Sequence, residues 1–174
     1  KFTGDGRLAI RGVSLEYAGE ELGCSVVTII RGSLALTQCR VSGGVGEDRE
    51  RKTLGSGVWI LGTATAIIKE CLIMSNHMGI LLSGSAQVEL EENTCRQNTR
   101  NGIHAGKRSN LTARNNICES NGECGIAFFG SARGTLVGNV CRQNQNQGIY
   151  AIGQSHLTAD NNTCEANNRT GISL

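Results

Sequence analysis

Cysteine recurs at a fixed interval in the second half of the chain. Cys95, Cys118, Cys141 and Cys164 are each 23 residues apart, and an asparagine stands two residues before and three residues after each of them. A Gly-Ile pair keeps the same interval, so the unit reads N-x-C-x-x-N-x-x-x-G-I. A period of about 20 to 50 residues indicates a fold built from stacked repeats, not a core of unrelated elements.

The repeat extends upstream in a looser form. Cys71 follows the segment GVWILG, Cys39 follows VVTIIRG, and Val13 takes the cysteine position in the first unit. We therefore expect about seven units in one domain spanning residues 1–174. The interval from Cys39 to Cys71 is longer than the others, so a charged insertion at about residues 44–53 is expected to leave the repeat and to be either a recognition loop or a solvated flap.

The pattern inside each unit is that of short strands. Apolar residues alternate with polar ones, as in Ile103 and Ala105 around His104, and again in Leu111 and Ala113 before Cys118. Gly or Asn separates three such segments per unit. A unit of 23 residues is too short for a pair of helices, and it predicts one coil of a β-solenoid in which equivalent residues stack from coil to coil.

The N-x-C-x-x-N-x-x-x-G-I unit, with its period of about 22 to 24 residues, resembles the right-handed parallel β-helix family of carbohydrate-binding and sugar-hydrolase type, within the pectate-lyase-like superfold. The resemblance covers Leu8 to Leu174. It implies an all-β solenoid of about seven coils of 22 to 26 residues, with interior Cys and Ile ladders and an Asn ladder at a corner. The family contains both polysaccharide-modifying enzymes and non-catalytic recognition modules, so the fold alone does not settle the function.

The cysteines and asparagines are interpreted as structural. We expect six cysteines to face inward as unpaired thiols, because stacked Cβ atoms run parallel and do not turn toward each other, and a straight thiol ladder offers no tetrahedral metal site. These are Cys39, Cys71, Cys95, Cys118, Cys141 and Cys164. Cys124 falls outside the repeat and is predicted to be exposed and reactive. No metal or cofactor is predicted, and the unpaired thiols favour the cytoplasm, with the periplasm or secretion left open.

The asparagines are predicted to occupy corners in the left-handed backbone conformation, which Asn and Gly tolerate best. One set is expected to form a hydrogen-bonded ladder, namely Asn98, Asn121, Asn144 and Asn167.

Function is expected in the outward rows. One row is a charge ladder of Arg96, Glu119, Arg142 and Glu165, and another is a partial threonine row of Thr65, Glu89, Thr112, Thr135 and Thr158. A third row contains the only Trp, and with its neighbours it forms either a glycan or peptide groove or a scatter of surface residues. The ligand-binding candidates are Trp59, His104, Tyr150, Lys107, Arg108, Gln154 and His156.

Two functions remain open. The first is a non-catalytic module that binds or scaffolds a protein or carbohydrate partner. The second is a polysaccharide lyase, hydrolase or epimerase, for which the candidate catalytic residues are Glu89, Glu91, Arg114 and His104. No paired-aspartate motif supports the second alternative, so the sequence favours the first.

The charge balance and the chain ends bear on partners. The net charge is +2 and no run of Lys or Arg exceeds two residues, so no nucleic-acid partner is predicted. No apolar stretch approaches the roughly 18 residues that a membrane span requires, and no membrane partner is predicted. Since the sequence begins without Met, we expect it to be a segment of a larger protein. The last coil, at Ile172 and Leu174, is expected to present a sheet edge that can self-associate.

Overall fold

The computed structural model describes residues 3–46 and 55–174, so the predicted charged loop lies largely outside the described residues. These residues form an all-β solenoid of seven coils, in which three seven-stranded parallel sheets make the walls of a prism. Each complete coil contributes one strand to each sheet, and each strand pairs with its equivalents in the coils before and after. The predicted fold class and coil number are confirmed.

Every strand of the first sheet has five residues. The strands are β1 Arg7–Arg11, β4 Ser33–Thr37, β7 Thr65–Lys69, β10 Gln87–Glu91, β13 Asn110–Arg114, β16 Arg133–Val137 and β19 His156–Asp160. The second sheet contains β2 Ser14–Glu16, β5 Arg40–Ser42, β8 Leu72–Met74, β11 Thr94–Arg96, β14 Ile117–Glu119, β17 Val140–Arg142 and β20 Thr163–Glu165. The third contains β3 Val27–Ile29, β6 Ser56–Ile60, β9 Met78–Leu82, β12 Ile103–Ala105, β15 Ile126–Phe128, β18 Ile149–Ala151 and β21 Ile172–Ser173.

The interior is filled by ladders of equivalent apolar residues. Ile80, Ile103, Ile126 and Ile149 are in register on the third sheet, and all four are fully buried. Where Phe128 enters the interior, the facing position on the first sheet is Gly134, and a Cβ there would lie 2.3 Å from the phenyl ring. The narrow cross-section of the coil explains the small, regular side chains of the sequence, because one bulky residue requires a glycine opposite.

The cysteine ladder is shorter than predicted. Cys95, Cys118, Cys141 and Cys164 are in register on the second sheet, but the residue that pairs with Cys95 in the preceding coil is Ile73. Cys71 and Cys39 lie two residues earlier, just outside strands β8 and β5, so the prediction that they belong to the same inward position was wrong. All eight cysteines lie in the described part of the chain and none forms a disulfide.

Cys71 and Cys39 instead continue an asparagine ladder. The Asn93 side-chain oxygen accepts a hydrogen bond from the backbone N–H of Cys71 at 3.0 Å, and the Cys71 thiol takes the same acceptor role for Cys39 at 3.4 Å. This ladder, at the corner between the first and second sheets, contains Asn93, Asn116, Asn139 and Asn162.

The predicted ladder forms at the next corner, between the second and third sheets. It contains Asn98, Asn121, Asn144 and Asn167, and it extends upstream to Asn76. The prediction that these asparagines are left-handed was wrong, because the positive φ angle belongs to the residue immediately before each of them, such as Gln97 at 53° and Ser120 at 54°. The exposed preceding residue makes the turn, and the buried Asn supplies the hydrogen bonds that the turn leaves unmade.

The third corner, between the third and first sheets, is made by residues with positive φ in six successive coils. Five of them are glycines, Gly32, Gly62, Gly84, Gly130 and Gly153. The sixth is Lys107, with φ of 59°, which is an unfavourable conformation for a lysine.

Cys124 is buried, at 5% exposure, and the prediction of an exposed reactive thiol was wrong. Its thiol lies 3.4 Å from the side-chain oxygen of Gln147, the equivalent residue one coil later. Burial raises the pKa of Cys124, which keeps the thiol protonated. Within residues 3–46 and 55–174, no helix is long and apolar enough to cross a membrane.

Candidate ligand-binding surface

The outward row of the third sheet has the predicted register. Trp59, Leu81, His104, Ala127 and Tyr150 are paired in successive strands. Leu81 and Ala127 face outward and are nevertheless buried, at 3% and 0% exposure. Larger outward side chains therefore cover them, and this face carries a layer of side chains outside the sheet.

Phe129 is the residue of this layer that the sequence analysis did not single out. Its ring stacks on the imidazole of His104, with 4.7 Å between centroids and 12° between planes. The same ring makes an edge contact with Tyr150, at 5.8 Å and 71°. We call Trp59, His104, Phe129 and Tyr150 the aromatic cluster. Phe129 lies one residue beyond the end of β15, so the alternation of strand residues alone does not predict the direction of its side chain.

A cavity of about 390 Å³ lies beside the stacked pair. Its lining includes Trp59, Leu81, His104 and Phe129. Lys107 is also part of the lining. The cavity is therefore apolar and ring-lined, with one cationic side chain at the corner, as is common in sites that position a small ring.

His104 is held neutral. Burial lowers the pKa of His104 to about 4, and the nearby positive charge of Arg100 adds to the effect. The Nδ1 atom of the imidazole lies 3.4 Å from the side-chain nitrogen of Asn101. At neutral pH the ring is therefore an uncharged, fixed platform for Phe129 and a weak proton acceptor.

The remaining ligand-binding candidates lie at and beyond the Lys107 corner. Arg108 is the exposed residue after Lys107, and Gln154 is equivalent to it two coils later. His156 begins β19 and so belongs to the first sheet, on a different face from the aromatic cluster. Of these residues, the structure places only Lys107 in the lining of the aromatic cavity.

The candidate catalytic residues are divided between two faces. Glu89 and Glu91 lie on β10 and Arg114 on β13, all in the first sheet, whereas His104 lies on β12 in the third. Glu91 is paired in register with Arg114 and forms an ion pair with Lys69, which lowers the pKa of the Glu91 carboxyl. Glu91 therefore lies between two basic residues, Lys69 and Arg114, on the surface of the first sheet.

The other two outward rows differ in outcome. Thr112, Thr135 and Thr158 are in register as predicted, with Glu89 before them, but the next residue in that row is Ile67 and not Thr65. Thr65 was expected in this row because it lies six residues before Cys71. Cys71 itself lies two residues before the position equivalent to Cys95, so the residue in the row is Ile67.

The charge ladder on the second sheet has the predicted register. Glu119 is paired with Arg96 on one side and with Arg142 on the other. Two of the three nitrogens of the Arg142 guanidinium, Nε and Nη2, donate to Glu119 at 2.9 and 2.8 Å. Over the described residues, no group of three or more His, Cys, Asp or Glu side chains is arranged to hold a metal ion.

No curated protein and no solved structure matches the sequence. The family described as the right handed beta helix region matches residues 56–174, which is more than half of the chain. That segment begins at β6 and contains the coils with the regular Asn ladders and the cysteine ladder. The chain therefore belongs to the right-handed β-helix family.

Proposed function

We propose that this chain is a non-catalytic carbohydrate-binding module whose ligand lies on the aromatic cluster of the third sheet. The observation that carries the proposal is the Phe129–His104 stack beside a ring-lined cavity that Trp59 also lines. Sugar rings present C–H faces that pack on aromatic rings, and they also need a few polar groups at the margin.

The rigidity of the cluster supports binding. The backbone of His104 is held in strand β12, and its imidazole packs against Phe129. Phe129 is itself in contact with Tyr150. A platform that is already ordered loses little conformational entropy when a ligand arrives. The exposed Lys107 side chain, at the margin of the cavity, provides a hydrogen-bond donor for a hydroxyl or a carboxylate.

The distribution of ionisable groups supports a role without catalysis. Hydrolysis of a glycosidic bond needs two carboxyl groups on either side of the bond, and none lines the aromatic cavity. The neutral His104 is a poor general base because its pKa lies well below neutral pH. The Glu89, Glu91 and Arg114 side chains project from another face of the prism.

The test is titration calorimetry of the chain against neutral and acidic oligosaccharides, with chromatography of the same mixtures after long incubation. Saturable binding without shortened or unsaturated products is expected. Product release would overturn the proposal in favour of a polysaccharide-modifying enzyme, and the absence of binding to any oligosaccharide would overturn it in favour of a protein scaffold.

Phe129→Ala is the diagnostic variant. Loss of the ring is expected to weaken oligosaccharide binding about tenfold. The matched control is Ile67→Ala, which removes an exposed apolar side chain, 44% accessible, from the first sheet. The control variant should bind like the unaltered chain, and circular dichroism should show that both variants keep the β-solenoid.

A further inference from the structure

A second groove runs along the first sheet, parallel to the axis of the solenoid. One of its walls is the outward row of Asn110, Arg133 and His156, and the other is the row of Thr112, Thr135 and Thr158. The floor is the column between them, Leu111, Gly134 and Leu157. The groove has a volume of about 580 Å³.

The groove meets a second cavity of about 560 Å³ at the corner of the prism. Arg133, Ser155 and His156 line both cavities. Ser131 and Gln154 line the corner side, with 3.4 Å between the Ser131 hydroxyl and the Gln154 side-chain oxygen. Arg133 and His156 are exposed and occupy paired positions on neighbouring strands, so one ligand can contact both.

The charge of this surface has one sign. Neither cavity has a carboxylate in its lining. No Asp or Glu occurs within residues 106–118, 127–137 or 150–159, which supply this part of the prism, whereas Arg108 and Lys107 add positive charge at its corner. The carboxylate on the same strand as His156 is Asp160, at the opposite end of that strand.

We propose that this basic groove binds an acidic segment of a protein partner, with a carboxylate held by Arg133 and a neighbouring backbone N–H of the peptide held by His156. The guanidinium of Arg133 presents a planar pair of donors that matches a carboxylate. The Nδ1–H group of His156 donates to the backbone oxygen of Gln154 at 3.0 Å, which leaves the Nε2 atom as an acceptor for a backbone N–H of the peptide. Hydroxyl groups of the threonine row supply further donors along the groove.

The lining favours a peptide over a glycan or a nucleic acid. No aromatic ring other than the imidazole of His156 lines either cavity, so the groove has no stacking surface for sugar rings or bases. Its two polar walls run side by side along the axis of the solenoid, and an extended peptide can lie between them. Glu89 lines a further cavity along the same two rows, so the basic part of the groove ends there and the acidic segment that fits it is short.

The experiment uses the whole chain and an acetylated, amidated hexaglutamate peptide, with binding measured by titration calorimetry at two salt concentrations. Arg133→Gln is expected to weaken binding about tenfold. The matched control is Arg7→Gln, because Arg7 is exposed and lies in the same outward row at the opposite end of the first sheet. The control should change the affinity by no more than about twofold.

Three results would overturn the proposal. They are equal loss of affinity in both arginine variants, no loss in Arg133→Gln, and Arg133-dependent binding of hexagalacturonate that is at least as tight as binding of the peptide. The outcome is separable from the carbohydrate-binding proposal, since Phe129→Ala should leave hexaglutamate affinity unchanged. Peptide binding without any oligosaccharide binding would contradict the carbohydrate-binding proposal and leave the peptide-binding proposal intact.

Discussion

The side chain of Asn121 donates to the side-chain oxygen of Asn144 at 2.9 Å and to the backbone oxygen of Cys95 at 3.1 Å. One buried amide therefore connects three consecutive coils. The backbone N–H of Asn121 donates to the same oxygen of Asn144, so each coil of the ladder fixes the turn of its neighbour. The 23-residue period places successive ladder asparagines next to each other, and across the longer coil the ladder continues through the backbone N–H of Gly44, which donates to the Asn76 side-chain oxygen at 2.9 Å.

Asn121→Ala is expected to destabilise the fold by about 3 kcal/mol, because it leaves buried backbone and side-chain groups in the adjacent coils without partners. Urea denaturation measures the change. The control is Asn168→Ala, an exposed residue next to the ladder whose removal should cost no more than about 0.5 kcal/mol. Equal losses in the two variants would contradict a structural role for the ladder.

Cys118 tests the packed interior. It is fully buried between Cys95 and Cys141, and hydrogen bonding to these two thiols, together with burial, raises its pKa well above the ordinary value. Cys118→Asp should therefore cost more than about 4 kcal/mol because it places an unpaired carboxyl in an apolar stack, whereas Cys118→Ala should cost about 1 to 2 kcal/mol. An aspartate variant with the stability of the alanine variant would show that this position is open to water.

His104 makes stability depend on pH. Its pKa in the folded chain is about 4, below the ordinary 6.5, so between these pH values the unfolded chain binds a proton that the folded chain does not. Stability should fall by about 2 kcal/mol as pH drops from 7.5 to 4.5. His104→Leu should remove this part of the pH dependence, measured by urea denaturation at both pH values. An identical slope in the variant would mean that another group is responsible.

Lys107 occupies a corner at which the equivalent residues of neighbouring coils are glycines with positive φ. Replacing it by glycine should stabilise the chain by about 1 kcal/mol, because the left-handed conformation is unfavourable for a residue with a Cβ atom. The reverse change, Gly130→Ala, should destabilise by about 1 to 2 kcal/mol. Thermal denaturation of both variants measures the pair, and a loss of stability in Lys107→Gly would contradict the account. If oligosaccharide binding weakens in the stabilised variant, the strained lysine is retained for function.

The sequence pattern was sufficient for the strands, their alternation and most of the register. Cys95 to Cys164 repeat without insertion, so counting 23 residues finds the equivalent positions in each coil. Upstream the counting failed, because Cys71 and Cys39 take the place of a ladder Asn and not of the inward cysteine. Both positions accept a small buried side chain, and a single sequence cannot distinguish them.

The candidate site depended on contacts that a repeat pattern does not encode. Trp59, His104 and Tyr150 were placed in one row by counting, but the contact of Phe129 with His104 and Tyr150 depends on how a side chain beyond the strand end bends over its neighbours. The prediction that Cys124 is exposed was wrong for the same reason, since the residue that lies against it, Gln147, comes from the next coil. Corner residues lack the alternation that predicts which way a strand residue faces.

The central claim is that a carbohydrate binds on the aromatic cluster, and Trp59 reports on it directly. It is the only tryptophan of the chain and it lines the cavity, so its fluorescence reports on the occupancy of that cavity. The most direct measurement is a fluorescence titration with the oligosaccharide that calorimetry identifies. The account predicts a saturable change in Trp59 emission with the same Kd as calorimetry, weakened about tenfold by Phe129→Ala. Calorimetric binding with unchanged Trp59 emission would contradict it.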